Sequence, residues 1–170
     1  MLIYLGYFFT VINYICYCSS RFVREKKWIL TLDLIAKVFT IAGLYCLGSM
    51  SGALSFIIEF LILIVANIKE RRAIGKAANT LLYLVFAAAY VVILVTTFAG
   101  ISSLLVFASC IITCTSNWWL PPQKMRIVGG FNSFIYLSYQ LSIRNWAGLI
   151  EILVIISNFA SFARYHKEGR

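Results

Sequence analysis

The chain has 170 residues, 62% of them hydrophobic and 12% charged, with a mean hydropathy of +0.89; no soluble core of this size buries so much apolar side chain, which places the chain among polytopic membrane proteins. The formal net charge of +9 would suit nucleic acid, but the basic residues fall in short clusters between apolar runs, where they report orientation, so no nucleic-acid partner is expected. Cys16, Cys18, Cys46, Cys110 and Cys114 lie in or beside apolar runs and read as reduced and structural, the only histidine, His166, stands in the basic tail, and nothing resembles a hydrolase triad or phosphate loop, so the expectation is no enzyme, no cofactor and no metal.

The first apolar run, Leu2 to Cys18, has no basic residue before it and no A-x-A site after it, and reads as a retained span rather than a cleaved signal. Arg21, Arg24, Lys26 and Lys27 follow it. From Trp28 to Lys69 two apolar runs form a hairpin through Gly48-Ser49-Met50-Ser51-Gly52, and the second run stops at Lys69-Glu70-Arg71-Arg72. A fourth span is expected over 77–98, a fifth from Gly100 to Trp119, a sixth from about Met125 to Ile143, and a seventh from Trp146 to Ala163. Each is near the ~20 residues that cross a bilayer core. Thirteen of the fifteen Lys and Arg fall in alternate loops and the tail, with only Arg144 on the other side and Lys37 inside a span. This asymmetry predicts seven spans with the N-terminus outside and the C-terminus in the cytoplasm. Trp28, Trp118, Trp119 and Trp146 sit at span ends, as interfacial aromatics do.

Charges inside the hairpin raise the question of function. Asp33 and Lys37 each cost roughly 2.5 to 3.5 kcal/mol at a helix centre, about cancelling the gain from the ten Leu, Ile, Val and Phe residues between Trp28 and Leu47. The polar stripe should therefore face other helices or a wet cavity. Lys37 and Glu59 both fall near mid-depth, so an ion pair across the hairpin would relieve both, and Asp33, one turn from Lys37, could share it. Two readings stay open for this pair: a clamp that fixes helix packing, or a cavity lining that binds a polar solute or exchanges a proton. Asn132 and Asn158, with Asn13 as a weaker addition, are candidates for the facing wall, though helix-to-helix hydrogen bonds are the commoner use of such amides. Glu151, close in depth to Gln140 and Arg144, is expected to pair with Arg144 at the outer mouth. The basic clusters read as topology signals.

Sliding the chain on itself by about 94 residues pairs Gly6 with Gly100, Cys16 with Cys110, Ile41 with Ile135, Tyr45 with Tyr139 and Leu47 with Leu141. The order span, basic loop, span, short turn, span, basic end also occurs twice, with one spare span between. Because three is odd, the spare span would make the two triplets parallel repeats, a plan some transporters use with the substrate site between the repeats. A seven-helix bundle whose halves merely look alike is the competing reading.

Gly148, Glu151, Asn158 and Arg164, with Pro-Pro-Gln-Lys-Met-Arg ahead of span six, give the last third a pattern that resembles the YgjV-like family of small bacterial inner-membrane proteins. The Gly52 to Lys69 arm resembles it more loosely, with Glu59 where an Asn is more usual. The resemblance implies a bacterial inner membrane and, through likeness to SWEET and PnuC-type transporters, an all-α three-plus-one-plus-three fold. In that arrangement residues 1–170 form one transmembrane domain, with repeats over 1–72 and 100–166 and a linker helix over 77–98. The expected function is a small transporter or facilitator for a sugar, nucleoside or vitamin precursor, with Asn13, Asp33, Lys37, Glu59, Asn132, Gln140, Glu151 and Asn158 as candidate translocation residues. The alternative is a non-transporting membrane protein that assembles with or regulates a partner. Expected partners are the lipid bilayer and a small polar solute, with a homo-oligomer left open.

Overall fold

A computed structural model describes residues 2–71 and 75–168, without the side chains of 166–168. Arg72 and Arg170, counted above among the basic residues, lie outside the described residues, as do the side chains of His166 and Lys167. Among the described residues are seven α-helices and no strand: α1 (Leu2–Arg21), α2 (Lys26–Cys46), α3 (Met50–Arg71), α4 (Lys76–Thr96), α5 (Ile101–Trp119), α6 (Pro122–Ser142) and α7 (Glu151–Glu168), the last preceded by a 3₁₀ turn, Trp146–Ile150. The expected spans and these helices agree to within a few residues at each end.

Six of the seven are long and apolar enough to cross a membrane. The exception is α6, which has the length, 21 residues, but not the composition. Four of its polar residues are turned inward: Arg126, Asn132, Ser133 and Gln140 are all buried. Large apolar side chains such as Phe131, Phe134 and Leu141 point outward from the same helix.

The helices pack α1 on α2, α2 on α3, α3 on α5, α5 on α6 and α6 on α7, and α7 returns to α1, so six helices close a ring. The seventh, α4, lies outside it against α3 and α5. Only Tyr90 of α4 is buried, whereas Leu81, Leu84, Val85, Val92 and Val95 are exposed, as expected of a helix that faces lipid on most of its surface. At the α3–α5 junction Lys69 donates from Nζ to the Trp118 carbonyl at 2.8 Å and stands 4.9 Å from the Trp118 and Trp119 rings. Trp118 is packed in the core at the C-terminal end of α5. Trp28, Trp119 and Trp146 are exposed.

The two hairpin turns close alike. After α2, Gly48 adopts φ +78°, its N–H bonds the Tyr45 carbonyl and the Ser49 N–H reaches back to Leu44, the paired bonds of a Schellman end. After α6, Arg144 adopts φ 56°, with the same bonds from Arg144 to Leu141 and from Asn145 to Gln140. The two left-handed turn residues are 96 apart, two more than the offset of about 94 read from the sequence.

Candidate functional site

A cavity of about 30 Å³ lies at the centre of the ring. Every ring helix supplies lining: Asn13, Tyr14 and Tyr17 from α1, Lys37 and Thr40 from α2, Phe56 from α3, Ser109 and Thr113 from α5, Asn132, Ser133 and Tyr136 from α6, and Glu151 from α7. None comes from α4. Four pairs of these residues recur at the spacing of the turns: Asn13 with Ser109, Tyr17 with Thr113, Lys37 with Ser133, and Thr40 with Tyr136, each 96 apart.

On the first wall, Lys37 Nζ meets Glu59 Oε1 at 2.8 Å, both side chains almost wholly enclosed, and the ammonium also stands 4.3 Å from the Phe56 ring. The pair expected from depth alone is therefore formed. Asp33 does not share it, which corrects the expected three-way cluster. Its carboxylate pairs with the Arg21 guanidinium and accepts from the Ser20 hydroxyl, all three residues being buried. At the C-terminal end of α1, Arg21 is near enough to meet Asp33, and the guanidinium gains a second partner in the Tyr17 ring at 4.2 Å.

On the facing wall, Asn132 donates to the Ser109 carbonyl (3.3 Å), the Ser109 hydroxyl (3.0 Å) and the Thr113 hydroxyl (2.9 Å). Its Oδ1 is buried without a hydrogen-bond partner, as is the Tyr136 hydroxyl, so the cavity keeps acceptor and donor capacity. Glu151 is buried and enters the cavity beside Ser133 and Tyr14, the Tyr14 hydroxyl lying next to the carboxyl without a formed hydrogen bond. Among the described residues no ion pair joins it to Arg144, whose side chain is exposed. The outer-mouth pair expected from sequence is corrected by this placement: the 3₁₀ turn carries Glu151 inward while the left-handed backbone at Arg144 turns that side chain out.

Two proposed residues stand elsewhere. Asn158 is buried away from the cavity, bonded to the Val154 carbonyl and packed on Gly129, where an added Cβ would stand 3.1 Å from its Oδ1. Gln140 accepts from Asn145 Nδ2 at 2.8 Å, and Asn145 reaches Thr10 at 3.4 Å, while the Ser49 and Tyr139 hydroxyls share a 2.7 Å bond. These contacts close the ring between the cavity and the turns. Towards the basic helix ends a second void of about 10 Å³ shares Tyr17, Thr113 and Asn132 with the cavity and reaches Arg21. Arg126 seals that end, donating to the carbonyls of Arg21 (3.2 Å) and Val23 (2.6 Å) and stacking 4.5 Å from the Tyr165 ring. Sequence reading took Arg21 and Arg126 for topology signals. It also passed over the hydroxyl and aromatic lining, whose only signal is spacing: Asn13 with Tyr17, Ser109 with Thr113 and Asn132 with Tyr136 each lie four residues apart on one helix face.

A family model described as a bacterial inner membrane protein, Imp-YgjV, matches residues 4–169. No curated protein and no solved structure matches the chain.

Proposed function

The chain belongs to the Imp-YgjV family of bacterial inner membrane proteins, and from that premise we propose that it carries a small polar solute, such as a sugar, nucleoside or vitamin precursor, across that membrane between two parallel three-helix repeats. The observation that carries the reading is the lining of the cavity by all six ring helices, four pairs of its residues recurring 96 apart. A site shared by two repeats at matching positions is what a pseudo-twofold axis along the membrane normal produces, with α4 as the connector. In this reading α6 crosses the membrane like its neighbours, its polar face shielded by α5 and α7, and the basic helix ends face the cytoplasm.

At about 30 Å³ the cavity has room for roughly two water molecules. A sugar therefore enters only when the halves part, and the closed ring corresponds to an occluded state. Ser49 with Tyr139 and Thr10 with Asn145 would part to open one gate, and the Arg126 contacts to open the other. Lys37, Asn132 and Tyr136 offer donors and acceptors to a hydroxyl-bearing or amide-bearing solute. The cavity binds and releases and is not read as an enzyme site.

The test is a thermal-shift screen of the purified protein in detergent against sugars, nucleosides, amino acids and vitamins. A ligand at about 100 times its Kd adds roughly 2.7 kcal/mol of stability. The expected result is a stabilising solute whose effect disappears in folded Lys37→Met and Asn132→Leu. A shift of full size in both variants would refute the cavity as the binding site.

A further inference from the structure

The cavity carries an uneven charge count. One cation, Lys37, lines it, yet two carboxyls belong to it: Glu59, which holds Lys37 at 2.8 Å, and Glu151. Arg21, the next cation along α1, is engaged by Asp33. Among the described residues no Lys or Arg comes within ion-pair distance of Glu151. The groups that share the cavity wall with it are Tyr14 and Tyr17 from α1, Lys37 from α2, and Ser133 and Tyr136 from α6, with Cys18 and Arg21 of α1 within electrostatic reach. Neutral hydroxyls dominate this set, and an unpaired carboxylate enclosed among them is far more costly than the neutral acid. With Lys37 charged and Glu59 ionised, the enclosed cavity is neutral only when Glu151 holds a proton.

We infer that Glu151 is the proton-binding site of the cavity, protonated while the ring is closed and deprotonated when it opens to water, so that solute movement is coupled to movement of one proton. This rests on the transporter reading. The proton enters from water at one gate, forms the O–H bond of the Glu151 carboxyl, and leaves to water at the other gate, where the carboxylate is hydrated. Lys37 lines the same cavity and offers the carboxylate a transient partner. Glu59 and Glu151 differ in this respect: the first is held as an ion, the second as an acid.

The experiment is infrared difference spectroscopy of the purified full-length protein, titrated with protons alone in H₂O and D₂O over the pH range in which it stays folded. Wild type should show a protonated-carboxyl C=O band that shifts in D₂O and fades reversibly as pH rises. That band should be lost in Glu151→Gln, and Lys37→Met, which strips Glu59 of its cation, should add a second one. If Glu151→Gln does not fold, the second band in Lys37→Met and a displaced titration in Glu151→Asp carry the test. Absence of the band from wild type, or its survival in Glu151→Gln, would overturn the proposal. A titrating Glu151 in a protein that binds nothing in the solute screen would keep the proton site and discard transport. A stabilising solute with Glu151 ionised throughout would discard the proton site alone.

Discussion

Helices α1–α3 and α5–α7, the two halves of the ring, line the same cavity with different chemistry. From the first come Asn13, Tyr17, Lys37 and Thr40, backed by Glu59 and by the Arg21–Asp33 pair; at the positions 96 further on the second half has Ser109, Thr113, Ser133 and Tyr136. The residue 96 beyond Lys37 is Ser133, and the residue 96 beyond Glu59 is Ile155, which has no charge to bury. Each charge that the first half buries, Lys37, Glu59, Arg21 and Asp33, has a counter-charge beside it, because a lone ion in this setting costs several kcal/mol. Where it lines the cavity the second half brings neutral hydroxyls and an amide, and the one acid it places there, Glu151, has no ion-pair partner among the described residues. The first half is thus a fixed electrostatic wall and the second an adjustable polar one.

Breaking the first wall should do the most damage. Asp33→Leu leaves the Arg21 guanidinium buried and unpaired, and a loss of about 3 to 5 kcal/mol is expected in unfolding measured in detergent. Replacing both partners, Arg21→Met with Asp33→Leu, should recover most of it. A smaller loss is expected where the second half packs tightest: an added Cβ at Gly148 would lie 2.4 Å from Gln140 Cβ, so Gly148→Ala should cost about 1 to 3 kcal/mol in the same assay. Smaller still, Asn132→Leu removes neutral hydrogen bonds between membrane helices, which average about 0.6 kcal/mol and reach about 1.7. A loss as large as that for Asp33→Leu would erase the distinction between the walls. The least effect belongs to the turns. Gly48 tolerates its left-handed backbone and Arg144 does not, so Arg144→Gly should raise stability, by less than about 1 kcal/mol once the freer unfolded chain is counted.

The spans were legible because apolar length and Lys/Arg spacing are properties of single segments. The Lys37–Glu59 pair was legible for a related reason: two charges at mid-depth on adjoining antiparallel helices have few other partners. Asp33 was misassigned because Arg21 looked like a loop charge, and only the packing of α1 against α2 buries it. Glu151 was placed at the mouth by counting residues from a span end, which takes no account of the inward turn at 146–150. The cavity lining was hidden for a different reason. Tyr14, Thr40, Thr113 and Tyr136 are ordinary residues of membrane helices, and only ring closure makes neighbours of four segments far apart in sequence.

The measurement that bears most directly on a shared central pathway is uptake of the solute identified by the screen into vesicles holding wild type, Lys37→Met, Asn132→Leu or Asn158→Leu, each shown to be folded. Uptake should be lost in Lys37→Met and Asn132→Leu, one from each wall, and retained in Asn158→Leu, which lies away from the cavity. Undiminished uptake in the first two, or loss in Asn158→Leu alone, would contradict a pathway through the centre of the ring.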